Sequence, residues 1–242
     1  MQRSTATAIR GRLGPAPRRS AEGVALLAAI VALMWLLEGI NSLTPHDALD
    51  GFGAIYPRDL DRLWGIFTSP FLHVSFQHLE DNTIPFAFMG VIIALRGAAR
   101  LALVTLVAIV VGGLGTWLIA PAGTETVGAS GIVFGYATYL LARGLFNRSL
   151  LEILAGAVVG VVWGGALAYS IVPHPGVSWQ AHVCGAVGGV VAAWLFARPR
   201  TVRGVGGGGG ASDHGREGGG QRPEHLPGKG HLHEALDRAL SQ

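Results

Sequence analysis

The stretch TVGASGIVFGYATYLL, residues 126–141, sets Ser130 between Gly128 and Gly131 at the head of an apolar run. A serine inside a membrane helix ordinarily bonds a backbone carbonyl or eases helix packing. Here the two glycines permit a tight turn and a close backbone approach. They leave the hydroxyl uncrowded, beside the free N–H groups of a helix start. The stretch therefore reads as a turn that delivers a reactive group to the mouth of a membrane helix.

The rest of the chain agrees with the membrane setting. Half of its 242 residues are hydrophobic and only 14% are charged, against about 25% in an average soluble domain. The mean hydropathy is +0.44. Apolar residues cluster into six segments, at about 21–40, 76–95, 101–119, 130–146, 151–172 and 179–197. Most approach the roughly 20 residues that cross about 30 Å of hydrocarbon. The expectation is an all-α membrane protein, a bundle of six transmembrane helices. The first run is long enough to span and reads as a retained helix rather than a cleaved signal. Residues 1–20, with five arginines and two prolines, read as a disordered basic tail, and 21–197 as the membrane domain. Residues 198–242 contain GVGGGGGASDHGREGGG and read as a flexible cytoplasmic tail, with a short amphipathic helix at 231–241. The single cysteine, Cys184, excludes an intrachain disulfide.

Arginine placement orients the chain, because positive loops stay in the cytoplasm. With the amino terminus inside, the inner connections carry Arg18 and Arg19, Arg96 and Arg100, Arg143 and Arg148, then Arg198, Arg200 and Arg203. The outer side carries only Arg58 and Arg62, both in the long first loop, 41–75. Both termini are then cytoplasmic. The first loop, with Trp64, Phe67, Phe71 and four aspartates, reads as packed on or into the bilayer surface.

Polar groups within membrane helices are costly and mark function. Three clusters stand out. In HVSFQHLEDN, residues 73–82, His78 and Asn82 share a helix face, His73 precedes the helix and Ser75 is the expected N-cap. The second cluster is Ser130 with its glycines. In WQAHVCGAVGG, residues 179–189, His182, Gly185 and Gly189 form a stripe at i, i+3 and i+7 that lets another helix come close. In the alternating topology all three clusters fall near the outer ends of their helices. Thirteen residues separate Ser130 from Arg143, roughly 20 Å of helix. If Arg143 marks the inner boundary, the serine lies about 10 Å below the outer hydrocarbon edge. The preceding PAGTETVGA must then dip into the bilayer, which is tolerated only where backbone is buried in protein or lines water. A wet cavity with Ser130 at its floor is expected.

A serine hydroxyl needs a base to take its proton, and a neutral histidine can serve. Attack on a peptide carbonyl creates an oxyanion, which His78, Asn82 and backbone N–H groups can stabilise. No acidic residue lies near His182 in sequence, and Glu38 and Glu152 are read as lying away from the outer level. A Ser130–His182 dyad is therefore expected rather than a triad.

The three motifs together resemble the rhomboid family of intramembrane serine proteases. The family pattern is His-x4-His-x3-Asn on the second helix, Gly-x-Ser-Gly opening the fourth, and Ala-His-x2-Gly-x3-Gly on the sixth. Here these are His73, His78 and Asn82; Gly128, Ser130 and Gly131; and Ala181, His182, Gly185 and Gly189. The resemblance covers about residues 20–197. It implies Ser130 as nucleophile, His182 as base, His78 and Asn82 at the oxyanion, and Phe134 packed on His182. It also implies cleavage of other proteins' transmembrane segments in the lipid bilayer, without metal, ATP or other cofactor and without nucleic-acid partners. Two departures stand out. Many members carry Trp-Arg in the first loop, whereas Gly65 follows Trp64, and Phe134 stands where some members have tyrosine. The arginine-for-lysine bias and the high alanine and glycine content suggest a GC-rich bacterial genome, and a multi-pass protein of the bacterial plasma (inner) membrane is expected.

Rival readings are an inactive rhomboid-like protein that binds transmembrane clients, a membrane metalloprotease and a small transporter. His73, His78, Glu80 and Asp81 lack the His-Glu-x-x-His spacing of a metalloprotease. No inverted repeat supports a transporter. The tail histidines His214, His225, His231 and His233 read as solvated.

Overall fold

The computed structural model describes residues 15–45 and 48–197. The expectations for residues 1–14 and for the glycine-rich segment 198–242 lie outside the described residues. Six long helices follow in chain order: α1 (Pro15–Asn41), α2 (Phe76–Ala94), α3 (Ala98–Ile119), α4 (Ser130–Asn147), α5 (Leu150–Ile171) and α6 (Trp179–Leu195). Their bounds follow the six apolar segments closely. The largest difference is at α1, where helix begins at Pro15 rather than near residue 21, so residues 15–20 are helical. Proline is tolerated in the first turn, where its missing N–H has no acceptor to lose.

Three of the helices are long and apolar enough to cross a membrane by themselves: Pro17–Asn41, Ala98–Ile119 and Leu150–Ile171. The others carry the polar or small residues that the site and the helix contacts require. α2 opens with Gln77, His78, Glu80, Asp81 and Asn82, and α6 is short. Apolar side chains stand exposed along α1, α3 and α5, including Leu36, Leu118, Val161 and Tyr169. Such faces suit hydrocarbon rather than water.

α4 is the central element and packs against α2, α3, α5 and α6. Its Tyr136 is fully buried and stacks on Phe86 of α2 at 5.2 Å between ring centroids. The Tyr136 hydroxyl lies 2.6 Å from that of Thr105, which donates its own proton to the Leu101 carbonyl. Tyr136 is therefore the donor; this polar chain ties α3 to α4, and the ring stack adds α2. Association in lipid depends on close backbone packing rather than on apolar burial. Gly185 of α6 faces the Gly131 carbonyl and Gly189 faces the Gly135 carbonyl so closely that a Cβ on either would overlap backbone.

The helices run in alternating directions. Ser20 near the start of α1 donates to the Leu95 carbonyl at the end of α2, while Trp35 near the end of α1 donates to Thr83 and lies against Phe76. Ser75 and Ser178 cap α2 and α6, accepting the N–H groups of His78 and Ala181.

The first loop is folded. It contains the short helices Ala48–Gly53 and Gly65–Thr68 with 3-10 turns beside them. Its two arginines, the exceptions to the charge bias, are spent on backbone carbonyls. Arg58, with a left-handed φ of 62°, donates to the Leu118 and Ala120 carbonyls at the end of α3. Arg62 donates to the Gly51 carbonyl and lies over the Tyr56 ring. Trp64 stacks on Phe52 and donates to the Phe52 carbonyl. The residue after Trp64 has to be glycine here, because a Cβ at Gly65 would overlap the Ala54 carbonyl.

Candidate active site

Ser130 is the first residue of α4, and the turn before it is held from the first loop at three points. Ile55 pairs with Thr126 in an isolated antiparallel bridge. The Gly128 N–H donates to the Ser69 carbonyl at 2.9 Å. The Ala129 N–H donates to His73 Nε2 at 3.3 Å. Gly128 has φ of +118°, a conformation that side chains disfavour. Its backbone also lies against His78 and Asn82, so that a Cβ would come within 2.8 Å of the His78 ring. Gly131 lies close to α6, where a Cβ would sit 3.3 Å from the Ala181 carbonyl.

His73 is fully buried. Burial, with a smaller contribution from the neighbouring His78, pushes its pKa from 6.5 down to about 3, against a hydrogen bond to the Phe71 backbone. The ring is neutral at physiological pH and can accept the Ala129 N–H.

Across the helix interface the His182 ring, on the first turn of α6, places Nε2 2.9 Å from Ser130 Oγ. Phe134, one turn into α4, stacks on the same ring at 4.5 Å between centroids and 12° between planes. The other ring nitrogen, Nδ1, lies 2.8 Å from the backbone carbonyl of Ser170 on α5. A carbonyl only accepts, so Nδ1 carries the proton and Nε2 accepts the Ser130 hydroxyl proton.

The structure brings Ser130, His78, Asn82, Phe134 and His182 to the wall of one cavity of about 1290 Å³. α2 and α5 both contribute to it, with Pro85 and Trp163 among the lining. The Asn82 side chain donates one N–H to the His78 carbonyl at 3.0 Å, which orients the amide and leaves its second N–H for a ligand. At the start of α4 the first intrahelical bonds come from Ile132 and Val133 to the Ala129 carbonyl. The N–H groups of Ser130 and Gly131 therefore have no acceptor within the helix. Gly185 and Gly189 lie below the site and set the α4–α6 distance. His73 and His78 stand edge to face at 5.2 Å. Among the described residues no group of three or more His, Cys, Asp or Glu side chains gathers in the manner of metal ligands.

One carboxylate differs from the reading of the sequence. Glu38 lies near the end of α1, at the same end of the bundle as Ser130, because α1 runs opposite to α2 and α4. The carbonyl of Ser170, not a carboxylate, is the partner of His182 Nδ1. Glu152 lies at the other end, within an ion-pair cluster. Sequence reasoning passed over Ser170, since a backbone acceptor carries no signature of residue type.

The model of the Rhomboid domain family matches residues 60–199. The chain belongs to the rhomboid family. It is 42% identical over 191 residues to an uncharacterized protein of Mycobacterium tuberculosis, covering 76% of this chain and 78% of that one. An uncharacterized protein of Mycobacterium leprae is 43% identical over 186 residues, 73% of this chain and 72% of its own. The rhomboid protease GluP of Bacillus subtilis is 28% identical over 183 residues, 72% of this chain and 35% of its own.

Proposed function

We propose that this chain is an intramembrane serine endopeptidase that hydrolyses peptide bonds in or near the transmembrane segments of other membrane proteins. In this reading all six long helices span the bilayer, both termini are cytoplasmic, and the cavity opens on the outer side of a bacterial plasma membrane. Residues 15–197 form the working domain, preceded by a basic amino-terminal segment and followed by a glycine-rich carboxy-terminal one. Family membership supports the class, and the mycobacterial and Bacillus relatives support the location.

The observation that carries the proposal is the 2.9 Å contact between Ser130 Oγ and His182 Nε2 on a cavity wall. As Oγ attacks the scissile carbonyl carbon, Nε2 takes its proton and the carbonyl π pair moves onto oxygen. The resulting oxyanion is received by the Ser130 N–H at the helix start and by the side chains of His78 and Asn82. Collapse breaks the C–N bond, and Nε2 returns its proton to the leaving amine. Water then repeats the sequence on the acyl-enzyme, and Ser130 is restored. Phe134 holds the plane of the imidazole. His73 and Gly128 hold the turn, and Gly131, Gly185 and Gly189 allow α6 to bring the base within reach.

The test is cleavage of a transmembrane substrate by purified protein, with Ser130→Ala and His182→Ala alongside, each with and without EDTA. Cleavage by wild type alone, indifferent to EDTA, is expected. Cleavage that survives in Ser130→Ala would overturn the mechanism. Absence of cleavage by wild type across a panel of substrates would favour a rhomboid-like protein that only binds transmembrane clients.

A further inference from the structure

α5 meets the rest of the bundle very differently at its two ends. Its buried residues, Glu152, Gly156 and Val159, all lie in its first ten residues and on one face. From Gly160 to Ile171 no residue is buried. Two glycines seat the first half: a Cβ on Gly144 would come 2.8 Å from Ile153 Cα, and one on Gly156 would come 3.0 Å from Leu141 Cα. The Glu152 carboxylate is held by Arg96 at 2.8 Å, Arg143 at 3.3 Å and the Asn147 amide at 2.7 Å. Arg143 itself, 5% exposed, also donates to the Tyr139 hydroxyl. The second half stands across the cavity, with Trp163 and Ser170 on its wall.

The Ser170 carbonyl is available for a reason written in the chain. It falls in the last turn of α5, where helix carbonyls lack intrahelical donors. The regular donor, the N–H of His174, lies beyond the end of the helix at Ile171; Pro173, one turn on, has no N–H, and the Val172 N–H is spent on the Tyr169 carbonyl. The vacancy is filled by His182 Nδ1–H at 2.8 Å.

We propose that α5 is a positioning arm of the catalytic apparatus. The Ser170 carbonyl holds His182 as the Nδ1–H tautomer, in the place a carboxylate takes in a triad, and the Glu152 cluster at the other end of α5 sets where that carbonyl lies. The proposal rests on the reading of His182 as the base. Eighteen residues separate Glu152 from Ser170, roughly 27 Å of helix. A straight helix seated firmly at one end transmits its seating to the other, so the base is aimed from the far side of the bundle. A neutral acceptor on Nδ1 suffices to fix the tautomer, and it also stabilises the imidazolium formed when Nε2 takes the serine proton.

The experiment replaces Ile171 with its α-hydroxy acid, which turns the Ser170 carbonyl into an ester carbonyl and weakens it as an acceptor. The same replacement at Val162, on a face exposed to lipid, is the control. Imidazole 15N shifts report the His182 tautomer, and steady-state cleavage of a transmembrane substrate reports kcat and KM. Wild type is expected to show the Nδ1–H form. The ester at 171 is expected to give a mixture of tautomers and to lower kcat roughly ten- to hundredfold with KM little changed. The Val162 control should change neither. Glu152→Gln should shift the tautomer in the same direction. If that variant fails to fold, the ester, which leaves the cluster intact, decides the question. An unchanged tautomer and unchanged kcat in the ester at 171 would overturn the proposal while leaving the protease reading intact. A wild type that shows the Nδ1–H form yet cleaves nothing would sink the protease reading and leave the positioning contact standing.

Discussion

α5 and α6 both hold the same imidazole, and they do so with opposite kinds of packing. α6 carries the ring and is sealed into the bundle, with Gly185 and Gly189 against α4 and Gly188 against α3 at backbone distance. α5 carries the partner of Nδ1 and has buried residues only in its first half. The difference teaches that the His182 ring is mounted on a tightly packed helix but oriented by one with fewer constraints. Fixing a reacting group to within a fraction of an ångström matters for rate, and here that fixing is divided between two helices of unequal stiffness.

The comparison can be broken most forcefully at Gly189. Gly189→Val has to push α6 away from the Gly135 carbonyl. The expected cost is at least about 3 kcal/mol, seen as a large drop in the thermal midpoint in detergent and loss of cleavage. A variant with native stability would show that α6 is not sealed as described. Gly164→Ala on α5 sharpens the same contrast from the other side, because a Cβ there meets nothing within 4 Å. Its stability should change by no more than about 1 kcal/mol, in the stabilising direction, and this is the smallest effect expected.

Between these lies the turn that presents the serine. His73→Ala removes the acceptor of the buried Ala129 N–H and should destabilise by about 1–3 kcal/mol. Cleavage should fall roughly tenfold or more as the Ser130 turn loosens. His73 also makes stability depend on pH in a definite direction. Its pKa is pushed down from 6.5 to about 3 in the folded protein. The unfolded chain then binds the extra proton first, so the contribution is complete above about pH 6.5 and is lost progressively as pH falls toward 3. His73→Gln removes this group, so the gap in stability between wild type and variant should narrow between pH 7 and pH 4. A gap that widens on acidification would contradict the assignment of a neutral, buried ring.

Much of this architecture was legible in the chain because membrane helices announce themselves by length and polarity. The starts of α2 and α6 follow from Ser75 and Ser178 as caps, and the start of α4 from the glycines around Ser130. The meeting of Ser130, His78, Asn82 and His182 at one end of the bundle followed from counting alternating spans. Other features carried no such mark. Arg143 and Glu152 looked like a boundary charge and a stray carboxylate, because sequence cannot show that α4 and α5 touch there. The position of Glu38 was misjudged, although the direction of α1 implies it. The requirement for glycine at position 65 comes from the Ala54 carbonyl, a backbone contact made by the fold of the loop. The Ser170 carbonyl is the extreme case, since only the absence of an N–H at Pro173 hints that it is open.

The central claim is that Ser130 is activated by His182, and it can be measured without knowing the substrate. A fluorophosphonate probe reacts with a serine whose proton a neighbouring base removes. Incubation of the purified protein with the probe, followed by mass spectrometry of the digested chain, locates the adduct. The account predicts phosphonylation at Ser130 in wild type, none in Ser130→Ala and a loss of at least tenfold in His182→Ala. Labelling of wild type at another residue, or labelling of Ser130 that is indifferent to His182→Ala, would contradict it.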